Sequence, residues 1–255
     1  MRQKLRQLAD LIVILVSRDL KVKYKRSVIG LTWSLLNPLA QLLVFRLVFG
    51  SLLSLNVPDY TFFLFTGILA WNWFQSSLYA ATGSVVDNGT LLRQPGFPTS
   101  ILPVAAITSS LIQFLLAFPI LIGGALLTGH PTARSLWAEP LVILAQFVLT
   151  LSLGYLLAAV QVRFRDTQHL LGIVLMLGLY LAPVFYQASA IPVDFRGWFR
   201  LNPMVPVLEA HRAVLLLGQA PDWRALAFVT GGALLLLGVS SRVFARAACY
   251  FTDEI

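Results

Sequence analysis

The sequence predicts an all-α integral membrane protein with six transmembrane helices, an N-terminal amphipathic helix at the membrane interface, and a re-entrant outer hairpin between spans 5 and 6. Of the 255 residues, 58% are hydrophobic and only 12% are charged, whereas soluble domains have about 25% charged residues. Apolar runs of about 20 residues, the length that crosses a bilayer, recur along the chain. These spans use the whole length, so residues 1–255 are expected to form a single transmembrane domain.

The positive charge is concentrated at the start of the chain. Eight of the nineteen Lys and Arg residues lie within the first 26 positions, and no lysine follows Lys25. A basic run next to a first apolar segment is typical of a cytoplasmic membrane surface. The net charge of +8 therefore reflects topology and anionic lipid, and nucleic-acid binding is excluded because no soluble basic fold follows.

Residues 1–30 are predicted to lie along the cytoplasmic interface. Their first half has apolar residues at helical spacing, namely Leu5, Leu8, Leu11, Ile12, Leu15 and Val16. Such a helix has one apolar face, and it is too short and too charged to cross the membrane.

Five spans are predicted within residues 31–186. Their expected bounds are 31–55, 60–86, 101–128, 140–162 and 169–186. Pro38 is expected to kink or break the first turns of span 1. Arg46 lies in the same span, and a charge at a helix centre costs about 2.5–3.5 kcal/mol on insertion scales. We therefore expect Arg46 to face protein or water, or to lie near a helix end.

The loop 87–100 is short and contains two prolines and two glycines. Its apolar residues Leu91, Leu92 and Phe97 are predicted to be exposed. Exposed apolar residues on a polar loop indicate either a protein contact or anchoring to the membrane interface, and the sequence leaves both alternatives open.

The segment 188–220 is too apolar for a free loop. Asn202-Pro203 divides it into two short apolar pieces, as in a re-entrant hairpin, whose backbone must be satisfied by protein or by a cavity. Glu209 and Arg212 are i,i+3 neighbours and are predicted to pair. Span 6 is expected at 223–246.

The distribution of cations predicts the orientation of the chain. With the N-terminus inside, the inner side holds thirteen cations and the outer side five, and Arg46 is the nineteenth. Because cytoplasmic loops carry the excess of Lys and Arg, both termini are expected to be cytoplasmic.

Catalytic motifs are missing from the sequence. There is no G-x-x-x-x-G-K-[ST] and no Gly-x-Ser-x-Gly, so neither P-loop hydrolysis nor that type of serine chemistry is expected. His130, His169 and His211 lie in separate segments without a second ligand at metal spacing. The carboxylates fall in loops or at span ends, whereas a proton relay would need one at mid-span. The chain is therefore expected to be passive, or to receive its energy from another protein.

Eight stretches, taken in order along nearly the whole chain, resemble one transporter family, the membrane subunit of ABC-2 type exporters of polysaccharides such as O-antigen, capsule or teichoic acid. They are RDLKVKYKRSVIGLTWSLLNP, LFTGILAWNWFQSS, NGTLL-R, FP-TSILP, VRFRDTQHL, APVFYQ, LNPMVPVLEAHRAVLL and FTDEI.

The resemblance implies a homodimer that works with two P-loop ATPase subunits in a bacterial inner (plasma) membrane. The substrate would be a lipid-linked polysaccharide. This chain would hold no cofactor and no metal, because ATP and Mg²⁺ would bind the partner subunit.

The resemblance also implies three sets of functional residues. The substrate channel would be lined by Trp71, Asn72, Trp73, Phe74, Gln75, Tyr79, Tyr180, Phe185 and Tyr186. The ATPase would contact Arg18, Asp19, Lys25, Asn88, Leu92, Arg93, Phe97, Pro98, Arg165 and Asp166. The outer gate in 188–220 would include Asn202, Pro203, Glu209 and Arg212.

Three other functions remain as alternatives to polysaccharide export. An ABC-2 exporter of a small drug or lipid would share the fold, but the many aromatic residues favour a glycan. An integral-membrane glycan-processing enzyme would need paired carboxylates, and neither Asp166 nor Asp194 has a partner close in sequence. A membrane scaffold would not need a re-entrant segment.

Overall fold

The structure is a computed structural model that describes residues 2–25, 33–52, 59–127, 129 and 134–254. Within these ranges all regular secondary structure is helical and there is no strand. The basic-to-apolar junction at 26–32 and residues 53–58, at the end of the predicted span 1 and just after it, lie outside the described residues.

Eleven α-helices are present in the described part of the chain. In chain order they are α1 (Arg2–Tyr24), α2 (Trp33–Phe45), α3 (Tyr60–Gly83), α4 (Gly89–Leu92), α5 (Ile101–Leu127), α6 (Glu139–Arg163), α7 (Thr167–Leu181), α8 (Arg196–Leu201), α9 (Met204–Leu215), α10 (Trp223–Ala247) and α11 (Phe251–Glu254).

Three of the described helical segments are long and apolar enough to cross a membrane. These are Ile101–Gly123, Leu136–Arg163 and Trp223–Tyr250, and two shorter apolar helices occupy Leu36–Gly50 and Thr167–Leu181. Helix α3 is 24 residues long but contains several amides and hydroxyls. Most of its side chains are buried, so α3 meets protein on most sides.

Helix α1 is amphipathic and lies against α5. Leu15 and Val16 are buried, whereas Val13 and Ile14 are more than 60% exposed. The helical period is lost in the sequence after Leu20, yet the helix continues to Tyr24, where Lys23 donates a hydrogen bond to Gln113 of α5. This tertiary contact replaces the apolar face that the last turn lacks.

Helix α2 runs through Pro38 and changes at Arg46 into a π-helical segment, Arg46–Leu52. The side chain of Arg46 is exposed, so it is not buried within the protomer. Phe45 and Phe49 point toward the turn that follows α7 and pack on Phe185.

Helix α7 ends at Leu181, five residues before the predicted end at 186. The reason is Pro183, because the residue before a proline is disfavoured in helical conformation, and Ala182 is extended with φ −103° and ψ 144°. The turn 182–185 is buried and packs inside the bundle.

The segment 188–220 contains two short α-helices, as the Asn202-Pro203 break predicts. Helix α8 ends at Leu201 and α9 begins at Met204, whose backbone N–H donates to Asn202 Oδ1 at 3.0 Å. Asp222 then caps α10 by accepting bonds from the N–H groups of Arg224 and Ala225, a stabilising arrangement at a helix N-terminus.

The two ends of the helix bundle hold different helices. We call the end that holds α1, α4 and α11 the basic end, and the end that holds α8 and α9 the α9 end. At the basic end Tyr155, Phe244 and Phe251 form a chain of edge-to-face ring contacts, and Leu15 of α1 belongs to the same apolar cluster.

Candidate functional site

A cavity of about 820 Å³ lies between α1, α2, α3 and α5. Much of its lining is neutral and polar, with amide and hydroxyl groups from three helices and one ammonium from α1. The polar lining residues are Lys23, Asn37, Gln41, Asn72, Gln75, Ser76, Tyr79, Ser110 and Gln113.

Helical spacing brings these polar groups to the cavity. On α3, Asn72 is followed by Gln75 and Ser76 at i+3 and i+4, and on α2 Asn37 is followed by Gln41 at i+4. Residues three and four apart share one helix face. Each helix therefore presents a polar stripe on an otherwise apolar surface, and the stripes meet.

Hydrogen bonds hold several of these amides in place. Asn72 Nδ2 donates to Gln41 Oε1 at 2.9 Å, and Trp71 Nε1 donates to Gln75 Oε1 at 3.2 Å. Each amide keeps further donor or acceptor capacity. The cavity can therefore exchange hydrogen bonds with a neutral, hydroxyl-rich solute.

Four of the predicted channel residues line this cavity. They are Asn72, Trp73, Gln75 and Tyr79. Only 2% of Trp73 is exposed, because it stacks on Phe114 at 5.0 Å between ring centroids. Trp73 is therefore part of the cavity wall and offers little free ring surface.

Trp71 and Phe74 do not line this cavity and lie inside the protein. Both are at least 95% buried and their ring centroids are 5.6 Å apart. Trp71 packs against Gly178 of α7, where an added Cβ would lie 3.1 Å from the indole. In the protomer these two rings support the packing of α3 on α7.

The three remaining channel residues cluster near the end of α7. Phe185 stacks on Phe49 with centroids 5.1 Å apart, and Tyr186 donates a hydrogen bond to the carbonyl oxygen of Tyr180. Phe185 is buried, whereas Tyr180 is 56% exposed. Of the nine predicted residues, four thus line the cavity, two pack inside the protein and three lie near the end of α7, so one cavity does not contain them all.

A second cavity of about 530 Å³ adjoins the first toward the basic end. The two share Lys23, Ser76, Ser110 and Gln113 as lining residues. Burial lowers the pKa of the Lys23 ammonium, and partial burial raises the pKa of the Asp87 carboxyl in the wall of the second cavity. The Lys23–Gln113 hydrogen bond of 2.8 Å lies where the two cavities meet.

The predicted ATPase contacts at the basic end are partly used within the chain. Arg18 donates to Asp19 at 2.8 Å and to Asn88 Oδ1 at 2.7 Å. This joins α1 to the segment before α4.

The expectation that the apolar residues of the loop 87–100 are exposed is wrong, because Leu92 is buried and Leu91 and Phe97 are half-buried. Leu92 is only 7% exposed and packs in the apolar cluster of the basic end, against which the half-buried Phe97 also packs. The short helix α4 turns Leu92 inward. Pro98 is half-buried, whereas Lys25, Arg93, Arg165 and Asp166 are exposed.

The predicted pairing of Glu209 with Arg212 is wrong. The Arg212 guanidinium donates instead to the carbonyl oxygens of Pro183 at 2.6 Å and Val184 at 2.9 Å. Glu209 is exposed while Arg212 is buried, so their charges interact at a distance and not as a direct ion pair. Of the other predicted gate residues, Asn202 and Pro203 form the break before α9.

The sequence analysis did not predict a buried polar cluster at the α9 end. His211 Nδ1 lies 2.6 Å from Glu139 Oε1, and His211 Nε2 lies 2.9 Å from Gln146 Oε1. All three side chains are at least 98% buried. The i,i+7 spacing of Glu139 and Gln146 on one face of α6 was the available signal, but the histidine is 65 residues further along the chain.

The sequence profile described as ABC-2 type transporter matches residues 10–216. The chain belongs to the ABC-2 type transporter family. It is therefore the membrane component of such a transporter and has no catalytic role of its own, as the missing P-loop predicts.

Curated relatives extend the similarity beyond the profile. The O-antigen export system permease protein RfbA of Myxococcus xanthus is 32% identical over 99% of this chain and 98% of its own length. The protein of the same name from Klebsiella pneumoniae is 28% identical over 94% and 93%. The polysialic acid transport protein KpsM of Escherichia coli is 22% identical over 89% of both chains.

Proposed function

We propose that this chain is the channel-forming subunit of an ATP-driven exporter that moves a lipid-linked polysaccharide across a bacterial inner membrane. It acts as a homodimer with two copies of a P-loop ATPase. The observation that carries the proposal is the similarity, over nearly the full length of both chains, to permeases named for O-antigen export.

The proposed topology has six spans with both termini in the cytoplasm. The spans are α2 with its π-helical continuation, α3, α5, α6, α7 and α10. Helix α1 lies in the cytoplasmic interface, and α8 and α9 form the re-entrant outer segment. The exposed ring pair of Trp137 and Trp223, with centroids 5.9 Å apart, supports placing the starts of α6 and α10 at a membrane surface, since indole rings favour the interface.

The polar cavity forms part of the conduit in this proposal. A glycan presents many hydroxyls and few charges, and the lining offers amides and hydroxyls from α2, α3 and α5. Neutral hydrogen bonds contribute about 0.5–1.5 kcal/mol each, so a polymer can bind and still move. A lining of carboxylates or cations would favour charged solutes instead.

The ATPase docks at the basic end in this proposal. Lys25, Arg93, Arg165 and Asp166 are exposed there and form the contact surface. Leu92 and Phe97 act from behind this surface by holding α4 on the apolar cluster.

Reconstituted export tests the proposal. The chain and its ATPase are placed in liposomes with a lipid-linked glycan, and ATP-dependent transfer is measured. We expect transfer only with both subunits and ATP. Asn72→Leu with Gln75→Leu is expected to slow transfer about tenfold, because two amide partners in the conduit are lost, while co-purification of the ATPase is unchanged.

A matched control is Gln94→Leu, which alters an exposed amide of the cytoplasmic loop and should leave transfer near the unmodified rate. Transfer of glycan by the chain without any ATPase would contradict the proposal. Equal rates in the double variant and the control would remove the cavity from the conduit.

A further inference from the structure

Two adjacent residues of α9 are buried, and they make polar contacts with different parts of the bundle. The first is His211, which is 1% exposed and lies between Glu139 and Gln146 of α6. Gln146 Nε2 in turn donates to the carbonyl oxygen of Ala70 in α3 at 2.8 Å. This chain of contacts joins α9 to α6 and α3.

The second residue is Arg212, which joins α9 to α3 and to the turn after α7. Its guanidinium donates to the Pro183 and Val184 carbonyl oxygens and lies 3.6 Å from the centroid of the Phe63 ring. An added Cβ at Gly67 would lie 2.7 Å from Arg212 Nη2. The glycine therefore makes room for the charge.

These contacts hold α9 in place because the groups that make them are buried away from water. Removing one partner of a buried polar contact leaves the other unpaired, at a cost larger than the bond itself contributes in water. A movement of α9 away from α6 would unpair His211, and a movement away from α7 would unpair Arg212. Separation in either direction is therefore disfavoured.

The segment 188–201 before α9 has a different environment. Its apolar side chains Phe195, Trp198 and Leu201 are 57%, 75% and 74% exposed. The Asn202-Pro203 break separates it from α9, so it can rotate without extending a continuous helix.

We propose that His211 and Arg212 are positioning residues that fix α9 to the bundle, and that the outer gate opens by movement of residues 188–201. The inference rests on the proposed function, since it assigns the fixed and moving parts of the same conduit. Helix α9 forms one body with α3, α6 and the end of α7.

Reversible tethers test this division. Trp137→Cys and Leu217→Cys place thiols at exposed positions on either side of the hydrogen bond from Ser135 Oγ to the Val214 carbonyl. The exposed Cys249 is first changed to Ser. A short cleavable crosslinker between the two thiols ties the residues that follow α9 to those that precede α6, and we expect export to continue at an unchanged rate.

The matched tether ties the moving segment. Tyr186→Cys and Phe199→Cys replace two rings whose centroids are 6.3 Å apart and join α8 to the turn after α7. We expect this tether to reduce export about tenfold, because it blocks a gating motion, and cleavage to restore it. Loss of export with the first tether, or none with the second, would overturn the inference.

An exchange of the residues at positions 139 and 211 tests the positioning role of His211. His211→Leu should raise the passive entry of a small hydrophilic dye into proteoliposomes per assembled transporter. Glu139→His combined with His211→Glu restores the pair and should restore tightness. A merely structural role would reduce the amount of assembled protein without raising dye entry. The positioning role would be refuted if His211→Leu left dye entry unchanged. It would also be refuted if the exchange variant kept the raised dye entry.

The failure of the inference differs from the failure of the proposed function. If the untethered complex exports no glycan, the function is wrong. Thiol labelling of single variants then still decides which part moves. ATP is expected to change the labelling rate at Trp198→Cys, and to leave it unchanged at Glu209→Cys on α9.

Discussion

At the basic end of the bundle, helices meet through apolar and aromatic side chains, whereas at the α9 end they are also joined by buried charged and amide groups. Tyr155, Phe244 and Phe251 pack edge to face. Arg212 and His211 instead make bonds of 2.6–2.9 Å. Apolar packing is non-directional, while buried hydrogen bonds fix geometry. The comparison indicates an adaptable basic end, where we propose that the ATPase docks, and a more rigid α9 end, where we propose the outer gate.

The largest effect is expected when a side chain of similar length replaces the charge at the α9 end. Arg212→Met leaves the carbonyl oxygens of Pro183 and Val184 without their donors, and buried unpaired groups cost about 1–3 kcal/mol each. We expect the free energy of unfolding in detergent to fall by about 3 kcal/mol. The exposed Arg224→Met is the control and should change it by less than about 0.5 kcal/mol. Equal stability of the two variants would remove the contrast between the ends.

A smaller effect is expected for an apolar replacement at the basic end. Phe244→Leu keeps an apolar side chain in the cluster and should lower the free energy of unfolding by about 1 kcal/mol. Phe228→Leu, at a position that is 85% exposed, serves as the matched control in the same denaturation series. If Phe244→Leu lowers the free energy of unfolding as much as Arg212→Met does, the basic end tolerates substitution no better than the α9 end.

The helices were predictable from the sequence because apolar runs and prolines act locally. The predicted span at 101–128 is helix α5, Ile101–Leu127, and the predicted span at 140–162 is α6, Glu139–Arg163. The start of α9 followed from Asn202-Pro203 in the same way. The predicted end of span 5 at 186 was wrong, although Pro183 is a local signal in the sequence that ends α7.

The side-chain contacts were less predictable because they join distant residues. Glu209 is three residues from Arg212, yet the guanidinium binds carbonyl groups 28 and 29 residues away. Leu92 lies on a loop whose composition suggests exposure, but the apolar cluster buries it. The polar cavity was partly visible in Asn72 and Gln75, whereas Gln41 and Gln113 became part of it only through the packing of α2 and α5.

Photo-crosslinking during export tests the central claim, that the polar cavity between α2, α3 and α5 is part of the glycan path. A photoreactive amino acid at Gln75 is illuminated in reconstituted transporter with ATP, ATPase subunit and lipid-linked glycan, and the same residue at the exposed Phe228 is the control. We predict that the glycan is captured at position 75 during ATP turnover and not at position 228. No capture at position 75, or equal capture at both positions, would contradict the account.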